Sequence, residues 1–360
     1  MRILEVADKL GFGGIERVVD TLTVGLQQRG HTVIPLSLLK CSPERGSLSL
    51  EIPQMGGLHV ALACWRGIWG ACRKYAIDVV HSHCWQATRA IGLIPANRPP
   101  LVATIHGSCG PYHETCSRRR LSQLKWEAQL FLRDAHVVYV SESVAEDQQA
   151  FWGSVGRRRA VIYNGVPMCL GQQASPRDID VLQVGNFFPI KNQRETVSAL
   201  TVLKNRGFRA VAVFIGDGDT RADVEITVRS CSLDPSVQFL GQVEARPFYR
   251  RAKVVVVPSF HESFSLSVVE AWQAGCIIIA SDIKAHRELA SKLSGLTLYP
   301  VGCPSVLADE IEHALNSFDA GAKENLRQLP KEFRAETMAD SYEAILREAL
   351  QMSRSRAALI

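Results

Sequence analysis

The chain has 360 residues, 46% hydrophobic and 21% charged, with a formal net charge of +5. That is enough for two domains with separate cores, and no run approaches the ~18–20 apolar residues of a transmembrane helix. Residues 1–7 read as a first strand without the apolar core and cleavage site of a signal peptide, and ten scattered cysteines with no CxxC pair suit thiols kept reduced in a cytoplasm.

Hydrophobic periodicity places strands in the first half at 2–7, 32–39, 79–81, 101–105, 137–140 and 160–162, with helices at 15–28, 69–75 and 122–132. The second half carries strands at 181–184, 210–215, 237–239, 254–257, 277–280 and 297–298. Its helices fall near 194–206, 222–230, 265–274 and 305–317. Alternating strand and helix predicts parallel sheets with right-handed crossovers. The order occurs twice, on either side of a polar stretch, Gly171-Gln-Gln-Ala-Ser-Pro-Arg-Asp178. The expected fold class is α/β, two doubly wound Rossmann-like domains facing across a cleft. Expected boundaries are 1–172 and 173–335, with a C-terminal helix at 336–360 packing back on the first domain.

Charge divides unevenly between the halves. Residues 1–170 hold 19 Lys+Arg against 13 Asp+Glu, a net of +6; residues 171–360 hold 22 against 23, a net of −1. The excess includes Arg118-Arg119-Arg120 and Arg157-Arg158-Arg159. Such clusters attract an anionic membrane surface or a phosphorylated substrate, or are solvated loops. No nucleic-acid motif accompanies them, so nucleic acid is not an expected partner.

Polar and glycine-rich segments follow the strands. After the first comes Gly11-Phe-Gly13-Gly14-Ile-Glu16-Arg17, a tight turn or an anion site at a helix start, without the spacing of a dinucleotide fingerprint. His81-Ser-His83 and His106-Gly107 end strands and are either buried structural histidines or partners for sugar and phosphate oxygens. Cys109, His113 and Cys116 are metal-ligand types but fit no standard zinc spacing. Asn164-Gly165 reads as a turn. The second half opens on Gly185-Asn186 with Lys191 close behind, then Gly216-Asp-Gly218-Asp219 and Phe239-Leu240-Gly241. Last comes Glu262-Ser-Phe264-Ser265-Leu266-Ser-Val-Val-Glu270, with Gly275 placed to end the helix. The first glutamate of that segment falls in the loop at a strand's carboxyl end, and the second about two turns into the helix. Ligands of open α/β sheets bind at such an edge. No Asp-x-Asp metal site is read from the sequence.

This constellation resembles the retaining, GT-B-fold nucleotide-sugar glycosyltransferases of family 4, over roughly residues 1–320. The resemblance rests on Gly13-Gly14 with Glu16-Arg17, Asp78 to His83, His106-Gly107, Asn164-Gly165-Val166 and Gly185 with Lys191. It continues through Gly216-Asp-Gly218, Phe239-Leu240-Gly241 and, most specifically, the two glutamates Glu262 and Glu270. It implies that the second half binds a UDP- or GDP-sugar through Gly185, Asn186, Lys191, Gly216, Phe239, Leu240, the amides near Phe264, Ser265 and Leu266, and Glu270 on the ribose. Glu262 would meet the donor sugar, Lys191 the diphosphate, and His106 would lie near the reacting centre. Gly13 and Gly14 would let the N-terminal loop close over the donor.

The first half would take a sugar or lipid-linked acceptor, with transfer serving cell-surface polysaccharide, lipopolysaccharide or glycolipid assembly. No metal or cofactor is expected, and the implied location is cytoplasmic, peripheral on the inner face of the membrane. Two positions depart from the family. Asn186 stands where Arg is usual, with Arg194 as a candidate replacement, and Ser265 stands where Gly is usual. The alternatives are a sugar-nucleotide epimerase on the same scaffold or a non-catalytic partner subunit.

Overall fold

The computed structural model describes residues 1–10, 13–39, 47–52, 58–92, 98–107, 117–168, 176–318 and 326–357. The chain divides into two units, Met1–Pro167 with Lys331–Ile360, and Met168–Pro330. Most of the linker stretch, and Cys109, His113 and Cys116, lie outside the described residues.

The first unit is built on a parallel sheet in the order β3-β2-β1-β4-β5-β6-β7. Its strands are β1 Arg2–Ala7, β2 Thr32–Ser37, β3 Leu48–Ser49, β4 Val79–Ser82, β5 Leu101–Ile105, β6 His136–Tyr139 and β7 Arg158–Val161. The helices between them are α1 Gly14–Gln28, α2 Leu58–Lys74, α3 Trp85–Gly92, α4 Arg118–Leu132 and α5 Glu142–Trp152. Central strands are apolar on both faces because helices cover both, so Ile3, Leu4 and Val6 are completely buried. Helix α1 turns Val18, Val19, Leu22 and Leu26 inward at the spacing of an amphipathic helix.

Several sequence expectations change here. Helix α2 begins eleven residues before the predicted 69–75 segment, and α3 and α5 are additions. The start of α5 carries a physical signal: Ser141 accepts from Val144 N–H at 3.2 Å, a standard N-cap. Arg118, Arg119 and Arg120 are not a loop; they form the exposed first turn of α4 behind the cap Ser117. Asn164-Gly165 does not form a turn. A Cβ at Gly165 would lie 2.7 Å from Ala335 Cα, so glycine lets the chain pass against the last helix.

That last helix, α12 Ala335–Ala357, lies against α1 within the first unit. Gly25 of α1 leaves room for Ala339, and Arg29 Nε donates to Asp340 at 2.8 Å. His31 meets Glu343 at 2.9 Å.

The second unit holds a parallel sheet in the order β10-β9-β8-β11-β12-β13. The strands are β8 Ile179–Val184, β9 Ala212–Ile215, β10 Val237–Phe239, β11 Ala252–Val257, β12 Ile277–Ser281 and β13 Leu296–Tyr299. The helices are α6 Gln193–Asn205, α7 Arg221–Ser230, α8 Arg246–Arg251, α9 Leu266–Gln273, α10 Lys284–Lys292 and α11 Pro304–Asn316. Each sheet reverses its winding at one place, between β1 and β4 in the first unit and between β8 and β11 in the second. Those two points are where a doubly wound sheet leaves a crevice.

Candidate functional site

In the second unit the loops after β8, β9 and β10 are tied together through their backbones. Gly185 N–H donates to Ile215 at 2.9 Å, Gly216 N–H to Gly241 at 2.8 Å, and Leu240 N–H to Phe214 at 3.0 Å. Gly216 sits at φ +135, and a Cβ there would lie 2.1 Å from the Gly185 carbonyl oxygen, so only glycine fits. Phe239 stacks on Phe214 at 5.2 Å, so its ring belongs to the core while its backbone forms the edge.

The loop after β11 brings Glu262 to this edge. Lys191 Nζ donates to Glu262 Oε1 at 2.7 Å, and Ser259 Oγ donates to the same oxygen at 2.7 Å. Burial opposes ionisation of Glu262, but the Lys191 ammonium and the Ser259 hydroxyl outweigh it and hold the carboxyl below its usual range. Lys191 keeps 30% of its side chain exposed. A compact cation at the switch point, within reach of solvent, is the chemical feature of this edge.

Ser265 precedes α9 at φ +57 and its side chain does not cap the helix. This left-handed backbone is the physical reason glycine suits that position. The first-turn amides of α9 follow it, donors that a helix does not satisfy internally. Phe264 and Glu270 are both buried. Arg194 does not turn to this edge; it pairs with Asp223 at 3.1 Å, both mostly exposed.

The chain does carry two Asp-x-Asp triplets that the sequence reading passed over. Asp178 and Asp180 are committed to Arg251 and Lys253. Asp217 follows β9, where it accepts from Gly218 N–H at 2.8 Å, and Asp219 is exposed.

At the switch point of the first unit, Gly13 precedes α1, Gly14 opens it, and Gly11 lies outside the described residues. His81, His83 and His106 come together on a residue the sequence reading missed. Glu5, fully buried on β1, stands beside His81 in the parallel register of β1 and β4. His81 Nδ1 lies 2.9 Å from Glu5 Oε2, and His83 Nε2 lies 2.6 Å from the same oxygen. His83 Nδ1 meets His106 Nε2 at 3.0 Å. His81 Nε2 meets the Thr104 hydroxyl at 2.7 Å, and Thr104 meets Tyr342 of α12 at 3.0 Å. Burial alone would raise the Glu5 carboxyl, but the two imidazoles overturn that and hold it at about 2. Burial pushes His83 down to about 4 and His106 well below its usual value. The missed signal is a single carboxylate inside an otherwise apolar strand, Ile3-Leu4-Glu5-Val6-Ala7.

Two family models account for most of the chain. Residues 12–168 match Glycosyltransferase Family 4 and residues 178–317 match Glycosyl transferases group 1. The chain belongs to this glycosyltransferase family. An uncharacterised glycosyltransferase of Methanocaldococcus jannaschii is 26% identical over 85% of this chain and 86% of its own. The phosphatidyl-myo-inositol mannosyltransferase of Mycolicibacterium smegmatis is 28% identical over 80% and 78%. Among solved structures, Anabaena HepE in complex with UDP-glucose superposes with a TM-score of 0.71 at 18% identity, covering both chains completely. The fold is that of the GT-B glycosyltransferases, with two Rossmann-like domains. Among the described residues, no helix is long and apolar enough to cross a membrane.

Proposed function

We propose that this glycosyltransferase is retaining and metal-independent, moving a sugar from a nucleoside-diphosphate sugar to a hydroxyl acceptor in cell-surface polysaccharide or glycolipid assembly. The observation that carries the reading is the Lys191–Glu262 pair at the β8/β11 switch point, beside the first turn of α9. HepE, of the same fold, was solved with UDP-glucose, which favours a UDP-sugar over a GDP-sugar as donor. The mannosyltransferase relative favours a lipid-linked acceptor, and the basic first half favours an anionic membrane as its surroundings.

In this reading the second unit holds the donor. Gly185, Asn186, Gly216, Phe239 and Leu240 present backbone to the nucleotide, and Glu270 accepts from the ribose hydroxyls. As the bond from the anomeric carbon to phosphate oxygen breaks, its electron pair passes to the diphosphate. Lys191 and the amides near Phe264, Ser265 and Leu266 stabilise that growing charge. Glu262 meets the sugar and His106 stands near the reacting carbon. The acceptor hydroxyl attacks from the face the phosphate leaves, and its proton passes to the departing phosphate oxygen. Fixed protein charge does the work a divalent ion does elsewhere.

The test is a panel of nucleotide sugars scored by thermal shift, followed by transfer assays in excess EDTA. A donor that binds the folded state raises the melting temperature. Transfer should survive EDTA; loss of transfer restored by one divalent metal would replace fixed charge with a metal, for which Asp217 and Asp219 would be the first residues to change.

A further inference from the structure

We propose that Glu5 and His83 are positioning residues that act through His106, holding its ring in one tautomer with Nδ1 as a hydrogen-bond acceptor for a substrate hydroxyl. This rests on the functional reading above and adds two residues to it, neither of which contacts the substrate.

Glu5 is ionised and completely enclosed, so its oxygens only accept. His83 must therefore turn Nε2–H toward Glu5, at 2.6 Å. A neutral His83 then has only a lone pair on Nδ1, so His106 must supply the hydrogen in the 3.0 Å contact, from Nε2. A neutral His106 with Nε2–H is left with a lone pair on Nδ1, which has no partner among the described residues. The ring follows β5 at the carboxyl edge of the sheet and is only half-buried, unlike His81 and His83. A fixed lone pair at this edge accepts from a hydroxyl and does not favour another acceptor such as a phosphate oxygen.

The second arm of the network completes the assignment. With Tyr342 donating to Thr104 and Thr104 to His81 Nε2, His81 is left to donate to Glu5 from Nδ1. Every ring nitrogen of His81 and His83 is thus used. The carboxylate–imidazole separations of 2.6 to 3.1 Å are hydrogen-bond distances, so the cluster of Glu5, His81 and His83 reads as a relay and not as a metal centre. Oriented carboxylate–imidazole pairs of this kind determine which ring nitrogen carries the proton.

The experiment measures the tautomer directly, by histidine side-chain ¹⁵N NMR on the full chain, with His106→Gln for assignment. Wild-type His106 should show the Nε2–H form, and Glu5→Gln and His83→Gln should each convert it to a mixture. In transfer assays the same variants should lose about 10–100-fold in kcat, the scale of outer-shell partners elsewhere, with donor KM unchanged. The double variant should be little worse than either single one, because both act by one route. If Glu5→Gln does not fold, His83→Gln carries the test. An Nδ1–H tautomer in the wild type, a tautomer unmoved by both changes, or stoichiometric zinc in the purified protein that Glu5→Gln abolishes would each overturn the proposal. Should the wild type transfer no sugar from any donor, the functional reading fails while the spectrum still decides the relay.

Discussion

Each unit places a carboxylate near the switch point of its parallel sheet, and the two are treated in opposite ways. Glu5 lies inside β1, sealed from solvent, with two imidazoles against it. Glu262 lies five residues beyond the end of β11, paired with a lysine whose side chain is 30% exposed. A side chain within a strand covered on both faces can be reached only by other protein groups. One in the loop beyond the strand can be reached by a ligand. Position relative to the strand end therefore separates a carboxylate open only to protein groups from one that a ligand can reach.

The largest expected effect comes from removing the exposed member of the second pair. Lys191→Ala should lower kcat by ~10²–10³-fold, because charge on a leaving diphosphate grows in the transition state. His106 should keep its tautomer in this variant. Steady-state kinetics with a verified donor check it. Near-normal kcat with only a raised KM would mean that Lys191 serves binding alone, and the contrast between the pairs would lose its catalytic side.

Glu270→Ala comes next. In its proposed role Glu270 binds the ribose equally in ground and transition states, so its loss should raise donor KM by ~10-fold and leave kcat close to wild type. Calorimetric titration with the nucleoside diphosphate alone should show the same loss. A fall in kcat with unchanged nucleotide affinity would remove Glu270 from the ribose.

The parts of this comparison differed in how readily the sequence showed them. Glu262 and Lys191 were legible because they follow strands in segments whose order was already clear. The parallel sheets were legible too, since apolar runs such as Val254 to Val257 recur at βαβ spacing. Strand β3, two residues long, has no period to read. The start of α4 was hidden because three arginines look like a solvated loop until a cap at Ser117 is considered. Glu5 was absorbed into its strand, and its link to His83, 78 residues away in sequence, exists only in the folded register.

Acid sharpens the contrast by titrating the sealed network. His83 is held at about 4 against its ordinary value of 6.5, so between those limits the unfolded chain binds the proton and the folded one does not. Stability therefore falls as pH drops from 6.5 to 4. Glu5, held at about 2 against 4.5, extends the loss below pH 4.5. Melting temperature should drop by on the order of 5 °C between pH 7 and pH 4.5 from this network. His286, buried and also pushed down, adds a smaller part from the second unit. Calorimetry of wild type and His83→Gln decides it: the variant should show a flatter pH dependence, and parallel curves would mean the network contributes nothing there.

The smallest effect concerns the surface of the first unit and leaves the chemistry untouched. Helix α4 exposes Arg118, Arg119, Arg120 and Lys125, and Trp126 beside them is 63% exposed. Arg119, Trp126 and Leu130 fall on one side of the helix, opposite the buried Leu124, Ala128 and Phe131. A basic first turn followed by an exposed tryptophan suits an anionic membrane, where each cation near the surface contributes ~1 kcal/mol and salt screens it. Replacing the three arginines with serine should weaken binding to anionic vesicles by up to ~100-fold at low salt, following that per-charge figure. Donor affinity should stay unchanged, because the proposed donor groups lie in the other unit. Trp126→Ala should remove a part of the binding that salt does not screen, since burial of an indole is not electrostatic. Sedimentation with anionic and neutral vesicles at two salt concentrations distinguishes these contributions. Absence of binding to anionic vesicles at low salt would assign this basic turn to solvent and direct the search for an acceptor to water-soluble sugars.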